Sequence, residues 1–286
     1  MRTAPDEPVP ALERPLWLNE RLGDVTGRGV RIAVVDSGVT RKALATTVRL
    51  ANGHGLVDDA IDDGLSLVWS DDSDDRIGHG TACCHVLATL VPGAEIVPLR
   101  VFGRRLETSP RVVVAALDWA IDHQIDLVNL SLGSTSEAAV EPFRDACARA
   151  RAAGLVVVSA MPWGAPPTVP AVLADALGVT AGRVANAWDF THHDDAETAP
   201  WGVRAEFTCS GSFRVPWREA TGRKTEAVVF GSSLAAPHLT ALVALLRERF
   251  PGADLATVRR LLVELARPHS ILRGDSAQPR GRPRTT

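Results

Sequence analysis

The chain has 286 residues, of which 45% are hydrophobic and 23% charged, and its formal net charge is −3. This size and composition are typical of one large soluble α/β domain, and the small negative charge argues against a nucleic-acid partner. No apolar run reaches the roughly 18–20 residues that a membrane-spanning helix requires, which argues against a membrane partner. Nothing in the sequence indicates an oligomeric state.

The N-terminus and the cysteines bear on the cellular compartment. The first eight residues contain no apolar signal region, so we expect no secretory signal peptide. The four cysteines, Cys83, Cys84, Cys147 and Cys209, show no Cys-x-x-Cys spacing. Such a set suits neither a disulfide framework nor a metal site, so we expect free, buried thiols, no metal and a cytoplasmic location.

The first chemically informative element follows a Pro- and charge-rich stretch, residues 1–24, which we expect to run over the surface. Residues 30–35 are almost all apolar and end at Asp36, which predicts a buried parallel strand followed by a tight turn. Ligand sites of open α/β sheets lie at the carboxyl ends of strands, so Asp36 is a candidate functional residue. The alternative is a simple turn or N-cap aspartate.

An acidic segment comes next. Residues 58–75 contain eight aspartates, in a spacing that matches no calcium-binding loop. We interpret this segment as a solvated acidic loop that could steer basic substrates towards a nearby cleft. Whether it binds a cation is left open.

His79 lies at the start of a predicted helix, within a run of small residues. The helix dipole disfavours a positive charge at this end, so we expect a largely neutral imidazole that can accept a proton.

Strands and helices then alternate. Strands are predicted at residues 96–101, 126–130 and 155–158, and helices at 110–121 and 138–152. This alternation predicts a mainly parallel sheet with helices on both faces. A last helix is predicted at 254–266, and the basic, Pro- and Arg-rich residues 267–286 are expected to be disordered.

Residues 231–238 read Gly-Ser-Ser-Leu-Ala-Ala-Pro-His and lead directly into an apolar helix. Ser233 therefore lies at a helix N-terminus, where backbone N–H groups stabilise negative charge. A nucleophile or an N-cap would both fit this octet. Together with Asp36 and His79, however, a serine can carry out acyl transfer.

At these residues the sequence resembles the subtilisin-like serine peptidases. Residues 34–38 resemble the aspartate motif, 78–81 match the His-Gly-Thr motif, and 231–238 match the serine motif with Ser232 for Thr and Leu234 for Met. The order Asp, His, Ser along the chain is also that of subtilisin. The resemblance covers roughly residues 25–266, which we expect to form one peptidase domain between the N-terminal segment and the tail.

The resemblance implies a three-layer α/β/α fold and a serine endopeptidase that needs no cofactor. It implies catalytic roles for Asp36, His79 and Ser233, and substrate binding by Ser131, Leu132 and Gly133.

One departure from the family concerns the oxyanion hole. The family uses the amide of the nucleophilic serine together with an asparagine side chain, but no asparagine follows the strand at 155–160 here. The corresponding position falls at about Pro162 or Trp163, and proline has no N–H to donate. Losing such a donor costs about 10²–10³ in turnover in subtilisin, so we expect a slow enzyme. Trp163, Ser159 or a loop amide could replace the asparagine beside the Ser233 backbone.

Other departures bear on biological role. No export signal or propeptide is apparent, and the short link at 89–95 leaves no room for the family's calcium loop. We therefore expect an intracellular endopeptidase of narrow specificity that processes a leader or precursor peptide. Two alternatives stay open, namely a catalytically impaired domain that binds a peptide or protein, and a transpeptidase or macrocyclase.

Overall fold

The protein is described by a computed structural model that covers residues 2–3, 9–44, 48–61, 64–162, 166–193, 205–218 and 224–266. The helices are α1 (Leu16–Leu22), α2 (His79–Leu90), α3 (Pro110–Asp122), α4 (Val140–Ala152), α5 (Ser232–Arg249) and α6 (Leu255–Leu265). The strands are β1 (Arg2–Thr3), β2 (Arg31–Asp36), β3 (Arg49–Leu50), β4 (His54–Ile61), β5 (Gly64–Ser70), β6 (Glu95–Arg100), β7 (Leu127–Leu130), β8 (Val156–Ala160), β9 (Leu177–Gly182), β10 (Phe190–His192), β11 (Phe207–Ser210), β12 (Ser212–Arg218) and β13 (Lys224–Phe230).

The main sheet has the strand order β10-β11-β9-β8-β7-β2-β6-β4-β5, and β3 also pairs with β6. Every pair from β11 to β4 is parallel, whereas the two edge pairs, β10–β11 and β4–β5, are antiparallel. A separate antiparallel sheet is formed by β1, β13 and β12. The predicted α/β class with a mainly parallel central sheet is confirmed.

The central strand β2 shows why the sheet is covered on both faces. Ile32 and Val34 lie in the apolar cluster that includes α2 and α5, whereas Ala33 and Val35 lie in the cluster that includes α3 and α4. Because successive side chains of a strand point to opposite faces, one unbroken apolar run supplies both layers.

Helix α5 forms the centre of one helical layer. Every residue from 234 to 246 is buried, which is the pattern of a helix surrounded by protein on all sides. It follows β13 directly, so the burial of α5 fixes where the turn at Gly231 and the two serines after it must lie. No helix in the described part of the chain is long and apolar enough to cross a membrane.

The N-terminal segment, expected to run over the surface, is partly integrated in the fold. Leu18 and Leu22 of α1 are buried in the core, and β1 pairs with β13. The division into residues 1–24, 25–266 and 267–286 stays a prediction, and the basic tail lies outside the described residues.

The acidic segment is only in part the loop that we expected, since residues 71–75 lie outside any helix or strand but the preceding part is a hairpin. Residues 54–61 and 64–70 form the antiparallel hairpin β4–β5, which places Asp58 on a strand. Tertiary packing overrides the low strand propensity of aspartate here, because Leu56 and Leu67 on the hairpin pack against the cluster around α3.

The C-terminal end of α5 fastens the turn that precedes β2. One carboxylate oxygen of Glu248 accepts hydrogen bonds from the backbone N–H groups of Thr26, Gly27 and Arg28 at 2.6, 2.6 and 2.7 Å. A negative charge near a helix C-terminus is unfavourable by itself, so these three donors are what stabilise it.

Glu248→Ala should therefore lower the free energy of unfolding by about 1–3 kcal/mol, because three backbone donors lose their acceptor. The matched control is Glu264→Ala on α6, whose exposed pair with Arg260 should be worth about 0.5 kcal/mol or less. Urea unfolding of both variants measures the difference, and equal midpoints would contradict the role assigned to Glu248.

Candidate active site

Asp36 is the last residue of β2 and lies between two parallel neighbours, β6 and β7. Its side chain is fully buried, and its Oδ1 atom accepts a hydrogen bond from the Ser37 N–H at 2.7 Å. A buried carboxylate needs such partners because transfer of a charge out of water is costly. One backbone donor does not satisfy it, and the second partner is His79.

His79 opens α2 and is 4% exposed. Its Nδ1 lies 2.7 Å from Asp36 Oδ1 and 2.9 Å from Oδ2. Gly80 makes this approach possible, because a Cβ there would lie 2.3 Å from the Gly38 carbonyl oxygen and 3.2 Å from Asp36 Cβ. The sequence prediction of an aspartate at a strand end beside a histidine at a helix start thus corresponds to a direct contact.

The pKa of His79 is shifted in the direction opposite to the one expected from the helix dipole. Burial lowers the pKa of His79, but the adjacent Asp36 carboxylate raises it by more, so the pKa lies above the ordinary 6.5. The reason is distance: Asp36 is in hydrogen-bond contact with the ring, whereas the dipole acts through partial charges. With Nδ1 held by Asp36, Nε2 is the ring nitrogen left to exchange a proton.

Ser233 is the second residue of α5 and is half-buried. The N-cap is Gly231, with a φ of 155°, and no side chain caps the helix. The alternative interpretation of Ser233 as an N-cap is therefore wrong. Among the residues that the structure describes, its hydroxyl has no hydrogen-bond partner, so the contact with His79 is not closed.

The backbone carbonyl of Ser233 is held in an unusual way. Pro237 lies inside α5 and has no N–H, so the Ser233 carbonyl lacks its normal partner four residues on. The Ser131 hydroxyl supplies the missing hydrogen bond at 2.7 Å, and Asn129 Nδ2 donates to Ser131 Oγ at 3.0 Å. Thr240 of α5 in turn donates to Asn129 Oδ1 at 3.1 Å, which closes a buried polar chain between β7 and α5.

Cys83 connects the two halves of the site. Its Sγ lies 3.7 Å from Asp36 Oδ2, 3.3 Å from Ser131 Oγ and 3.6 Å from the Ser233 carbonyl oxygen. Burial, together with the charge of Asp36, raises the pKa of this thiol well above its ordinary value, so it stays protonated and unreactive. The sequence predicted a buried thiol at Cys83 but not its contacts in the site. Its position four residues after His79, which places both side chains on one face of α2, was the available signal.

Asp36, His79 and Cys83 are the one group of potential metal ligands found in the described residues. Ligand atoms of Asp36, His79 and Cys83 lie within 4.8 Å of one another. The donor set fits a hydrogen-bonded pair better than a cation, since His79 Nδ1 is already engaged by the carboxylate and the thiol is protonated.

His238, the last residue of the serine motif, is a core residue. Its Nδ1 donates to the Leu234 carbonyl at 2.7 Å, and its ring packs edge-on against Phe213. Burial lowers the pKa of His238 to about 4, so the ring is neutral. Its contacts give it a packing role and leave His79 as the histidine of the site.

The residues expected to bind substrate do line a cavity beside His79. The cavity measures about 320 Å³ and lies between α3 and the segment after β7, which contains Ser131, Leu132 and Gly133. Its lining is mostly apolar and includes Phe102, Val113 and Phe143, with Glu107 as the charged residue. Ser131 itself is mainly committed to the Ser233 carbonyl, so Leu132 and Gly133 are the better candidates for contact with a ligand.

Ser159 and Trp163 were the side chains expected as a second oxyanion donor, and the structure describes only Ser159. Ser159 is fully buried, and its hydroxyl donates to the Leu132 carbonyl at 3.2 Å. Its proton is therefore already engaged, and its geometry does not favour an oxyanion role. Trp163 lies outside the described residues.

Two aspartates of the acidic segment, which was expected to steer basic substrates, are paired with arginines. Asp58 pairs with Arg111, and Asp72 pairs with both Arg76 and Arg100. These arginines offset the charges of two of the segment's eight aspartates, because opposite charges within 4 Å largely cancel at a distance. Asp71 and Asp74 are exposed, so steering by this segment stays a prediction.

Comparison with known proteins agrees with this geometry. The model of the subtilase family, peptidase S8, matches residues 27–281. The minor extracellular protease Epr of Bacillus subtilis (strain 168) is 26% identical over 249 residues, which are 82% of this chain but only 34% of Epr. Subtilisin Savinase of Lederbergia lenta is 27% identical over 256 residues, 85% of each chain. The chain spans 63% and 60% of two further bacterial relatives, a thermostable alkaline protease and M-protease.

A solved structure of a lanthipeptide protease superimposes with a TM-score of 0.63 at 19% identity, covering 86% of this chain and 85% of that one. This likeness shows a shared fold. The family match, which extends over most of the chain and includes the strand end at Asp36, the helix start at His79 and the turn at Ser233, shows that the chain belongs to the subtilase family.

Proposed function

We propose that this chain is a serine endopeptidase that forms an acyl-enzyme on Ser233. The observation that carries the proposal is the buried Asp36–His79 pair, with Cys83 in contact with both the Asp36 carboxylate and the Ser233 carbonyl. Acyl transfer by serine needs such an oriented histidine. An open serine–histidine contact does not argue against it, because such contacts often tighten only when substrate binds.

In the proposed reaction, His79 Nε2 takes the proton of the Ser233 hydroxyl as the oxygen attacks the scissile carbonyl. Asp36 holds the tautomer with the proton on Nδ1 and stabilises the imidazolium that forms. The N–H of Ser233 lies in the first turn of α5, where backbone donors have no partner within the helix, so it serves as one oxyanion donor. His79 then returns the proton to the leaving amine.

We further propose that the enzyme has narrow specificity and matures a leader or precursor peptide. A cavity of about 320 Å³ beside His79 supports selection of a substrate side chain that packs against Phe102, Val113 and Phe143. A lanthipeptide protease shares the fold. A cytoplasmic location is proposed as well; the four free, buried cysteines support it, whereas the relative Epr is named an extracellular protease.

A fluorophosphonate probe should label Ser233, because the probe reacts with serines activated by a general base. Ser233→Ala should remove the label and lower peptide cleavage by several orders of magnitude. Ser232→Ala is the matched control, since the neighbouring serine should be dispensable for labelling. Mass spectrometry of tryptic peptides locates the label. A folded protein without label at Ser233 would contradict the enzyme and favour the impaired, peptide-binding alternative.

Peptide cleavage run in ¹⁸O-labelled water should place the isotope in the new carboxylate, because the acyl-enzyme is expected to react with water. Products without the isotope, joined to an amine, would contradict hydrolysis and identify a transpeptidase or macrocyclase. When the substrate is a peptide library, sequencing of the fragments identifies the residues on either side of the cleaved bond.

The pH profile should report the environment of His79. The imidazole must be neutral to accept the serine proton, so kcat/KM should fall as the pH drops through the raised pKa of His79, with a midpoint above 6.5. Asp36→Asn should move this midpoint to lower pH and lower kcat by about 10⁴-fold, the loss known for the same change in another Ser-His-Asp peptidase. A midpoint that stays unchanged in Asp36→Asn would show that the limb belongs to a different group.

A further inference from the structure

Asp75 makes an unusually complete set of hydrogen bonds for a half-buried carboxylate. Its Oδ1 accepts from the Ser37 hydroxyl at 2.8 Å and from the N–H groups of Ile77 and Gly78 at 2.9 and 2.8 Å. Its Oδ2 accepts from the N–H and the hydroxyl of Thr81 at 2.9 and 2.6 Å. All five donors belong either to the turn after Asp36 or to the start of the helix that carries His79.

The donors around Asp75 are linked to each other across the same junction. Ser37 Oγ, which donates to Asp75, accepts a hydrogen bond from the Gly80 N–H at 2.8 Å. Thr81 Oγ1 likewise accepts from the Thr40 N–H at 2.9 Å. The turn after β2 and the first turn of α2 are therefore joined by two direct hydrogen bonds and by the Asp75 carboxylate, which accepts from both segments.

Charge explains why an aspartate is needed here. The N-terminus of α2 presents unpaired N–H groups and the positive end of the helix dipole, and a carboxylate satisfies both. An asparagine at this place would offer one acceptor oxygen and turn a donor towards other donors. The neighbouring Asp74 is exposed and makes none of these contacts, so it is a natural comparison.

We propose that Asp75 is a positioning residue for the Asp36–His79 pair. By accepting hydrogen bonds from both segments, Asp75 sets the distance between the end of β2 and the start of α2. This role rests on the proposed peptidase function. Asp75 does not touch substrate in the proposal; it acts through Ser37, Gly78 and Thr81 on the residues next to Asp36 and His79. Within the part of the chain that the structure describes, the charges that act on His79 are those of Asp36 and Asp75, with the Cys83 thiol as a neutral neighbour.

The first test compares Asp75→Asn with Asp74→Asn, which removes the same charge from the adjacent, exposed position. Asp75→Asn should lower kcat by about 10- to 100-fold with a smaller change in KM, because a small misplacement of the pair costs that much. It should also move the acidic limb of kcat/KM to lower pH and weaken the downfield proton NMR signal of the His79 Nδ1–H. Asp74→Asn should stay within about twofold of wild type.

A second pair of variants keeps the proposal testable if Asp75→Asn does not fold. Thr81→Val removes one donor to Asp75 and the acceptor for Thr40, whereas Thr81→Ser retains the hydroxyl. Thr81→Val should lower kcat and shift the limb in the same direction as Asp75→Asn, and Thr81→Ser should restore wild-type values. Circular dichroism and thermal unfolding confirm that each compared variant is folded.

Two results would overturn the positioning role. One is a folded Asp75→Asn or Thr81→Val protein with the kcat, acidic limb and Nδ1–H signal of wild type. The other is an equal shift of the limb in Asp74→Asn, which would assign the effect to overall charge. Failure of the peptidase function itself is seen separately, because the wild-type protein would then not cleave peptides or react with the fluorophosphonate probe.

Discussion

The buried carboxylate of Asp36 is the constraint on which the site depends. A charge with no exposed surface at the end of a central strand must be surrounded by donors, and the structure provides the Ser37 N–H and the His79 ring. The need for donors to Asp36 constrains the backbone as well as the side chains. It brings the start of α2 against the turn after β2, which only a glycine at position 80 permits.

Helix α5 supplies the other half of the site, and there a hydrogen bond from a side chain replaces one that the helix backbone cannot make. Pro237 removes a helical hydrogen bond, and the Ser233 carbonyl is satisfied instead by Ser131 from the segment after β7. The polar chain through Asn129 and Thr240 is complete, so it can be buried without a large penalty. The helix start that carries the proposed nucleophile is thereby tied to the segment that lines the cavity beside His79.

The aspartates of residues 58–75 differ in their contacts, although they lie in one stretch of sequence. Asp58 and Asp72 are paired with arginines, whereas Asp75 accepts hydrogen bonds only from the chain around the Asp36–His79 pair. Two of the described aspartates thus contribute little field towards a ligand, and a third organises backbone. Composition could not separate these roles, because it records charge but not the partner of each charge.

The sequence by itself determined the α/β class, the strand that ends at Asp36, the helix start at His79 and the helix N-terminus that carries Ser233, because apolar periodicity and small-residue turns are local signals. Only the tertiary structure decided the hairpin within the acidic segment, the contacts of Cys83 and Asp75, the commitment of Ser159 to Leu132, and the raised pKa of His79. The contact of Cys83 with Asp36, the Asp75–Ser37 and Ser159–Leu132 hydrogen bonds and the Asp36–His79 pair join groups far apart in the chain, and the hairpin is held by packing against the cluster around α3. Hydrogen bonds, burial and charge act over a few ångströms, a distance that residue spacing along the chain does not encode.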